Sequence, residues 1–287
     1  MLSLLEIFND KLEKLQLQKL LMLFAHRQKL PTYFFVPYKF GCFSFQANAD
    51  LSTMKKYEWV AEDEKTWNRI TDISYLNELK ANDLKSLKEL KSDFKNKTSD
   101  ELIKHTYRNY PYYAINSIIA KQLLNTKELA SIQNKRTQSH TKALFTIGYE
   151  GISLEQYMNK LIKADVKVLC DVRKNSFSMK YGFSKSQLRM ACEGLGIQFL
   201  HIPEVGIVSE KRKELHSQKD YDILFDEYKK TVLPKTITQQ QKIIELINEQ
   251  ERVAVTCFEK DICQCHRKHL AEAICQLPEF NFKLIHL

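Results

Sequence analysis

No stretch of this chain approaches the ~18 consecutive apolar residues that a membrane-crossing helix needs, so a helical membrane span is not expected. The seven cysteines are odd in number and lack framework spacing, which argues against a disulfide scaffold and for reduced thiols in a cytoplasmic setting. Glu6, Asn9 and Asp10 interrupt the opening apolar run, so no secretory signal is expected there. Glycine is scarce, and its placement is uneven: six of the seven lie between Gly148 and Gly206, and the other is Gly41.

Apolar residues make up 44% of the 287 and aromatics 11%, enough to build a core in one large domain or two ordinary ones. The charge is +9, from 44 Lys and Arg against 35 Asp and Glu. Such a surplus suits an acidic partner, nucleic acid or a phosphorylated ligand. A solvated Lys-rich surface explains it equally well, because both signs are dense throughout.

The chain divides at a polar segment, 131–141, that carries Lys135 and Arg136, lacks an apolar face and reads as a linker. Residues 1–130 predict a mainly helical, aromatic-rich module. Leu12, Leu15, Leu20, Leu23 and Phe24 predict one amphipathic helix over about 3–28, stopped by Pro31. Residues 33–45 predict a hairpin turning near Lys39-Phe40-Gly41. Helices are expected over about 50–58, 76–94 and 99–124. In Tyr107-Arg108-Asn109-Tyr110-Pro111-Tyr112-Tyr113 the rings interleave with a cation, so they either stack on bases or pack between helices.

Residues 142–287 alternate short apolar runs with helical patterns, which predicts an α/β domain: a mostly parallel, Rossmann-like sheet with helices on both faces. Strands are expected at 143–147, 166–172, 198–202, 252–258 and 283–287. Helices are expected at 153–163, 184–195, 221–232, 239–249 and 266–275. Ser153 is the expected N-cap of the first of these helices, with Gln156 at the capping-box position. Cys170 and Cys192 fall on core positions.

In open parallel sheets, ligands bind beyond the carboxyl ends of the strands. The residues after each predicted strand are therefore the candidates. They are Gly148-Tyr149-Glu150-Gly151, then Asp171 and Arg173, then Pro203, Glu204 and Gly206, then Cys257, Glu259, Asp261, Cys263, Cys265, His266 and Arg267. Arg173 and Arg267 carry planar cationic forks suited to phosphate or carboxylate, and Arg267 falls in the first turn of a helix, where free N–H groups also favour an anion. Lys174 and His266 would join them. Tyr149, Tyr181 and Phe183 lie in loops at this edge and could stack on a base or wall the cleft. His201 could face either side of its strand.

The pieces TIGYEG, DVR, YGFSK, HIPEVG and TCFEKDICQCHR, in this order over about 145–275, resemble the successive motifs of the DUF488 family. The resemblance implies a Rossmann-like fold and a site at these motifs, and assigns no reaction. The family pattern places a second basic residue in a proline-serine-arginine context after the aspartate–arginine pair. Here the text is Lys174-Asn175-Ser176-Phe177-Ser178-Met179-Lys180, so Lys174 or Lys180 would have to substitute as a point charge. Near the start, KLQLQKLLMLFAH and FVPYKFGCFS are similar to the opening of the Panacea domain over residues 10–60, which implies a module that binds a protein partner or nucleic acid.

Four candidate reacting groups stand out. Asp171 and Glu259 could act as acid and base, as in glycosidic cleavage, or hold a divalent metal for phosphodiester cleavage. Alternatively, Asp171 could pair with Arg267, or Glu259 with Arg173, as plain structural ion pairs. Cys257 and Cys265 could supply a thiolate, Cys265 from a helix N-terminus that lowers thiol pKa. With Cys263 and His266 they could also bind zinc, although the spacing is not the usual pair of C-x2-C units and disfavours it. Small buried thiols closing a loop are the bland alternative. The leading expectation is a hydrolase acting on nucleic acid or a nucleotide, in phage defence or nucleic-acid repair, with no membrane association and its cofactor unassigned. A non-catalytic sensor of a nucleotide or modified base, and a thiol or zinc-dependent protein, are the alternatives.

Overall fold

In the structure, a computed structural model describing residues 1–212 and 215–287, the chain divides between Arg136 and Thr137 into two units. Unit 1 contains α1 (Leu2–Ile7), β1 (Lys11–Glu13), α2 (Lys14–Ala25), β2 (Val36–Tyr38), β3 (Gly41–Phe43), α3 (Phe45–Lys56), β4 (Val60–Glu62) and β5 (Thr66–Arg69). It continues through α4 (Ala81–Phe94), α5 (Ser99–Asn109), α6 (Ala120–Leu123) and α7 (Thr126–Gln133).

The expected mainly helical module is corrected here to a mixed one. A three-stranded antiparallel sheet, ordered β1-β5-β4, and the β2–β3 hairpin stand among the helices. The single helix expected over 3–28 is broken because Asn9 and Asp10 both adopt φ 64°. Short Asn and Asp side chains tolerate that left-handed conformation. It releases Lys11–Glu13 to pair with Thr66–Asn68. The hairpin forms where it was expected, with Tyr38 opposite Gly41, whose φ of 94° suits glycine. The helix expected over 99–124 stops at Asn109, and a 3-10 turn, Pro111–Ala114, follows, because proline cannot continue the hydrogen-bond ladder. The end of α7 falls inside the segment expected as a linker, where Ile132 is buried.

The core of unit 1 forms around α2, whose Leu17, Leu20, Leu21 and Met22 are buried with Leu5, Leu87 and Leu102. Lys19 is buried among them, its ammonium donating to the carbonyls of Phe40 and Cys42. Burial pushes this amine below its ordinary value, with the Cys42 side chain opposing the shift. The tyrosine tract packs: Tyr107 is buried, and Tyr110 stacks on His26 at 4.6 Å between ring centres.

Unit 2 contains β6 (Ala143–Gly148), α8 (Leu154–Lys163), β7 (Val168–Asp171), α9 (Lys185–Gly194) and β8 (Gln198–His201), followed by α10 (Gln218–Thr231), α11 (Ile237–Gln250), β9 (Arg252–Cys257), α12 (His266–Cys275) and β10 (Lys283–His286). The expected alternation is present. The Ser153 hydroxyl accepts from Gln156 N at 3.2 Å and the Gln156 side chain accepts from Ser153 N at 2.9 Å, the reciprocal cap read from sequence.

All five strands run parallel, in the order β10-β6-β9-β7-β8. Every residue of β7 and β9 is buried, so both faces of the sheet centre are covered, as parallel sheets require. Leu144, Val168 and Val253 pack with Ile243, Ile247 and Leu270 of the helices. Cys170 and Cys192 are core residues. Because β9 lies between β6 and β7, the carboxyl ends of these three strands converge at one edge. Among the described residues, no helix is long and apolar enough to cross a membrane.

Candidate functional site

A pocket of ≈ 410 Å³ opens at this edge. Of the residues expected from sequence, Tyr149, Arg173, Lys174, Cys257, Glu259 and His266 line it. The pocket lining does not include Asp171, Cys265, Tyr181, Phe183, Glu204 or Arg267. Two charged clusters account for most of this division.

The first cluster surrounds Arg173. Asp171 ends β7 with no exposed surface, and its two oxygens accept from Arg173 Nε at 2.8 Å and Nη2 at 2.6 Å. The backbone N–H of Arg173 donates to the same carboxylate at 3.1 Å. Arg173 Nη1 donates to the Tyr149 hydroxyl at 2.6 Å, and Nη2 to the carbonyl of Phe183 at 2.9 Å. Burial works against the cation, but Asp171 outweighs it and holds the guanidinium above its ordinary value. The ion pairs expected between Asp171 and Arg267, or Glu259 and Arg173, are thus replaced by Asp171–Arg173. With both oxygens bonded to Arg173 and no place in the pocket lining, Asp171 fits a positioning role.

Two of the three rings expected to stack on a ligand, Tyr149 and Phe183, join this cluster, whereas Tyr181 is exposed. Tyr149 and Phe183 stack on each other, 4.1 Å apart and inclined by 8°, which closes that face of Tyr149 to a base. Burial pushes the Tyr149 phenol above its ordinary value, with Arg173 opposing. Lys180 Nζ donates to the carbonyl of Tyr149 at 2.9 Å, so this lysine braces the loop. Lys174 is exposed at the pocket, where it can meet an anion. His201 faces β7, its Nε2 lying 3.0 Å from the carbonyl of Arg173. Glu204 lines a neighbouring pocket of ≈ 240 Å³ with Gly206 and Tyr228.

The second cluster joins the end of β9 to the start of α12. The Cys257 thiol lies 3.1 Å from Glu259 Oε2 and 3.5 Å from His266 Nδ1. The other ring nitrogen, Nε2, is 3.1 Å from the carbonyl of Val172 and must carry the proton of that bond. Nδ1 of a neutral ring is then an acceptor facing sulfur. Cys265, the N-cap of α12, is fully buried, and one ligand atom each of Cys257, Cys265 and His266 lie within 4.8 Å of one another. Burial pushes the Cys265 thiol well above its ordinary value, reinforced by its bond with Cys257 and the nearby Glu259 charge, with Arg267 opposing. That shift opposes the thiolate expected from its helix-terminal position. Cys263 is exposed and its backbone N–H is tied to Asp261, outside the cluster.

Arg267, expected to hold a phosphate, is buried and donates to the backbone carbonyls of Glu259 and Lys260. It fixes the loop that carries Glu259. The same carbonyl explains Gly148: a Cβ there would sit 2.0 Å from the Glu259 oxygen. Sequence reasoning missed Phe177, Tyr221 and Phe258, which line the pocket. Phe177 and Phe258 are 72% and 42% exposed, and aromatic residues within the motif segments were the available signal.

Fold and site together define a parallel α/β domain with its pocket at the carboxyl edge of the sheet. Residues 153–274 match the family model described as "Domain of unknown function DUF488", so the chain carries a DUF488 domain. The match begins after the first motif, Thr146–Gly151, and does not include residues 10–60, where the Panacea resemblance is not shown. No curated protein and no solved structure matches the chain.

Proposed function

We propose that unit 2 is a Rossmann-like hydrolase acting on a nucleotide or on nucleic acid, with Cys257, Glu259 and His266 as the reacting floor of its pocket. One observation carries this reading: a thiol in contact with both a carboxylate and an oriented imidazole at a pocket wall. Three groups of different acidity within reach of one another can take a proton, return it and stabilise charge, and buried constellations of this kind concentrate at active sites. Glu259 is partly exposed and is held from behind by Arg267, so it is the proton carrier available to a bound substrate.

Three features support the substrate class. Lys174 stands at the pocket, exposed rings of Phe177 and Phe258 offer faces for a base, and the whole chain is +9. Phage defence or nucleic-acid repair is the setting in which such an enzyme would act. For unit 1 we propose a binding role toward nucleic acid or a protein partner, supported by a ≈ 260 Å³ pocket where Lys14 meets Tyr38, Phe40 and Trp67.

The test is incubation of the wild-type chain and Glu259→Gln with nucleotides and single- and double-stranded DNA and RNA, with products resolved by mass spectrometry. The expected result is turnover by the wild type alone, with ligand affinity kept in the variant. Binding without turnover of any panel member by the wild type would replace the enzyme reading with a sensor.

A further inference from the structure

The cysteine–histidine cluster has a geometry that deepens the hydrolase reading and rests on it. Cys257 ends a strand, whereas Cys265 and His266 open a helix nine residues on, so their chain spacing resembles no paired zinc motif. The fold nonetheless brings two sulfurs and one ring nitrogen within 4.8 Å of one another, all on buried residues. Zinc–sulfur bonds of about 2.3 Å and zinc–nitrogen bonds of about 2.0–2.1 Å at a tetrahedral angle put sulfur and nitrogen about 3.6 Å apart. Cys257 Sγ and His266 Nδ1 are 3.5 Å apart. The Nε2–Val172 carbonyl bond is the outer contact that a metal-binding imidazole makes, and it turns Nδ1 toward the Cys257 sulfur.

We propose that Cys257, Cys265 and His266 bind one zinc ion through Sγ, Sγ and Nδ1, with the fourth position open to the pocket. Two thiols and an imidazole gathered this closely favour a divalent cation, because thiolate and imidazole are zinc's preferred ligands. Three protein ligands with an open position are the pattern of a catalytic zinc site, not a structural one. Cys257 and His266 both line the pocket, so the open position faces substrate. Glu259 Oε2, 3.1 Å from Cys257 Sγ, stands beside that position. It takes one proton from the water held there. The water oxygen bonds to the electrophilic carbon or phosphorus, the bond to the leaving group breaks, and Glu259 returns the proton to the departing group.

The experiment is zinc analysis of the full chain, purified without a polyhistidine tag and reconstituted with zinc alone, alongside Cys257→Ser, Cys265→Ser, Cys263→Ser and Glu259→Gln. The expected result is one zinc per chain in the wild type, in Cys263→Ser and in Glu259→Gln, and loss in the other two. Cobalt replacement should give the visible sulfur-to-metal absorption of a thiolate site in the wild type, a readout that does not depend on any variant folding. Substoichiometric zinc in the reconstituted wild type, or unchanged zinc in Cys265→Ser, overturns the proposal. Loss of zinc in Glu259→Gln overturns the open position, because Glu259 would then be a fourth ligand. Turnover by a zinc-free wild type refutes the metal site and leaves the hydrolase reading standing on the Cys257 thiol.

Discussion

Two charged clusters share the carboxyl edge of the same sheet, and they differ in what they are bonded around. Around Arg173, both oxygens of Asp171, the Tyr149 hydroxyl and the Phe183 carbonyl are engaged with the guanidinium. Around Cys257, the thiol lies against a carboxylate and an imidazole, and Cys257, Glu259 and His266 line the pocket. We propose that the cluster bonded around the buried guanidinium holds geometry and that the cluster around the Cys257 thiol carries the chemistry, even though each contains a carboxylate just past a strand.

The largest effect that sharpens this contrast is on activity. Glu259→Gln should lower turnover by about 10²–10⁴-fold, the usual contribution of a positioned acid or base, while urea unfolding stays close to wild type. Asp171→Asn should do the reverse. It leaves Arg173 buried without its counter-charge, at a cost of about 3–5 kcal/mol in the urea midpoint analysis. A loss under about 1 kcal/mol would mean the guanidinium is not dependent on Asp171 and would collapse the distinction. Gly148→Ala forces the Glu259 carbonyl to move from a 2.0 Å contact, and overpacking of this kind costs about 1–3 kcal/mol. Activity should fall along with stability, since the same loop carries Glu259. The smallest effect is at Lys174→Ala. Stability should change by no more than about 0.5 kcal/mol. Affinity for an anionic ligand should weaken at low salt and converge with wild type at high salt, measured by titration at two ionic strengths.

The C-terminal sheet was legible because its central strands, β7 and β9, are nearly continuous apolar runs and the first of its helices carries its own cap at Ser153 and Gln156. The position of the site followed from strand direction alone. The N-terminal sheet was not legible. Its strands β1, β4 and β5 span Lys11–Glu13, Val60–Glu62 and Thr66–Arg69, too short for an alternation to register. The break at Asn9-Asp10 depends on a backbone conformation that composition permits without requiring. The Asp171–Arg173 pair could have been read, since residues two apart on an extended segment share a face. The reading looked across strands instead. Nothing in the text of 257–267 says that α12 turns Cys265 and His266 back onto Cys257; only the tertiary path does.

The most direct test of the division between the clusters is turnover of the nucleotide and nucleic-acid panel by Cys257→Ala beside the wild type. The account predicts product from the wild type and none above background from the variant, whether the sulfur attacks substrate or holds a metal. A variant that turns substrate over at the wild-type rate would contradict it and move the chemistry away from the end of β9.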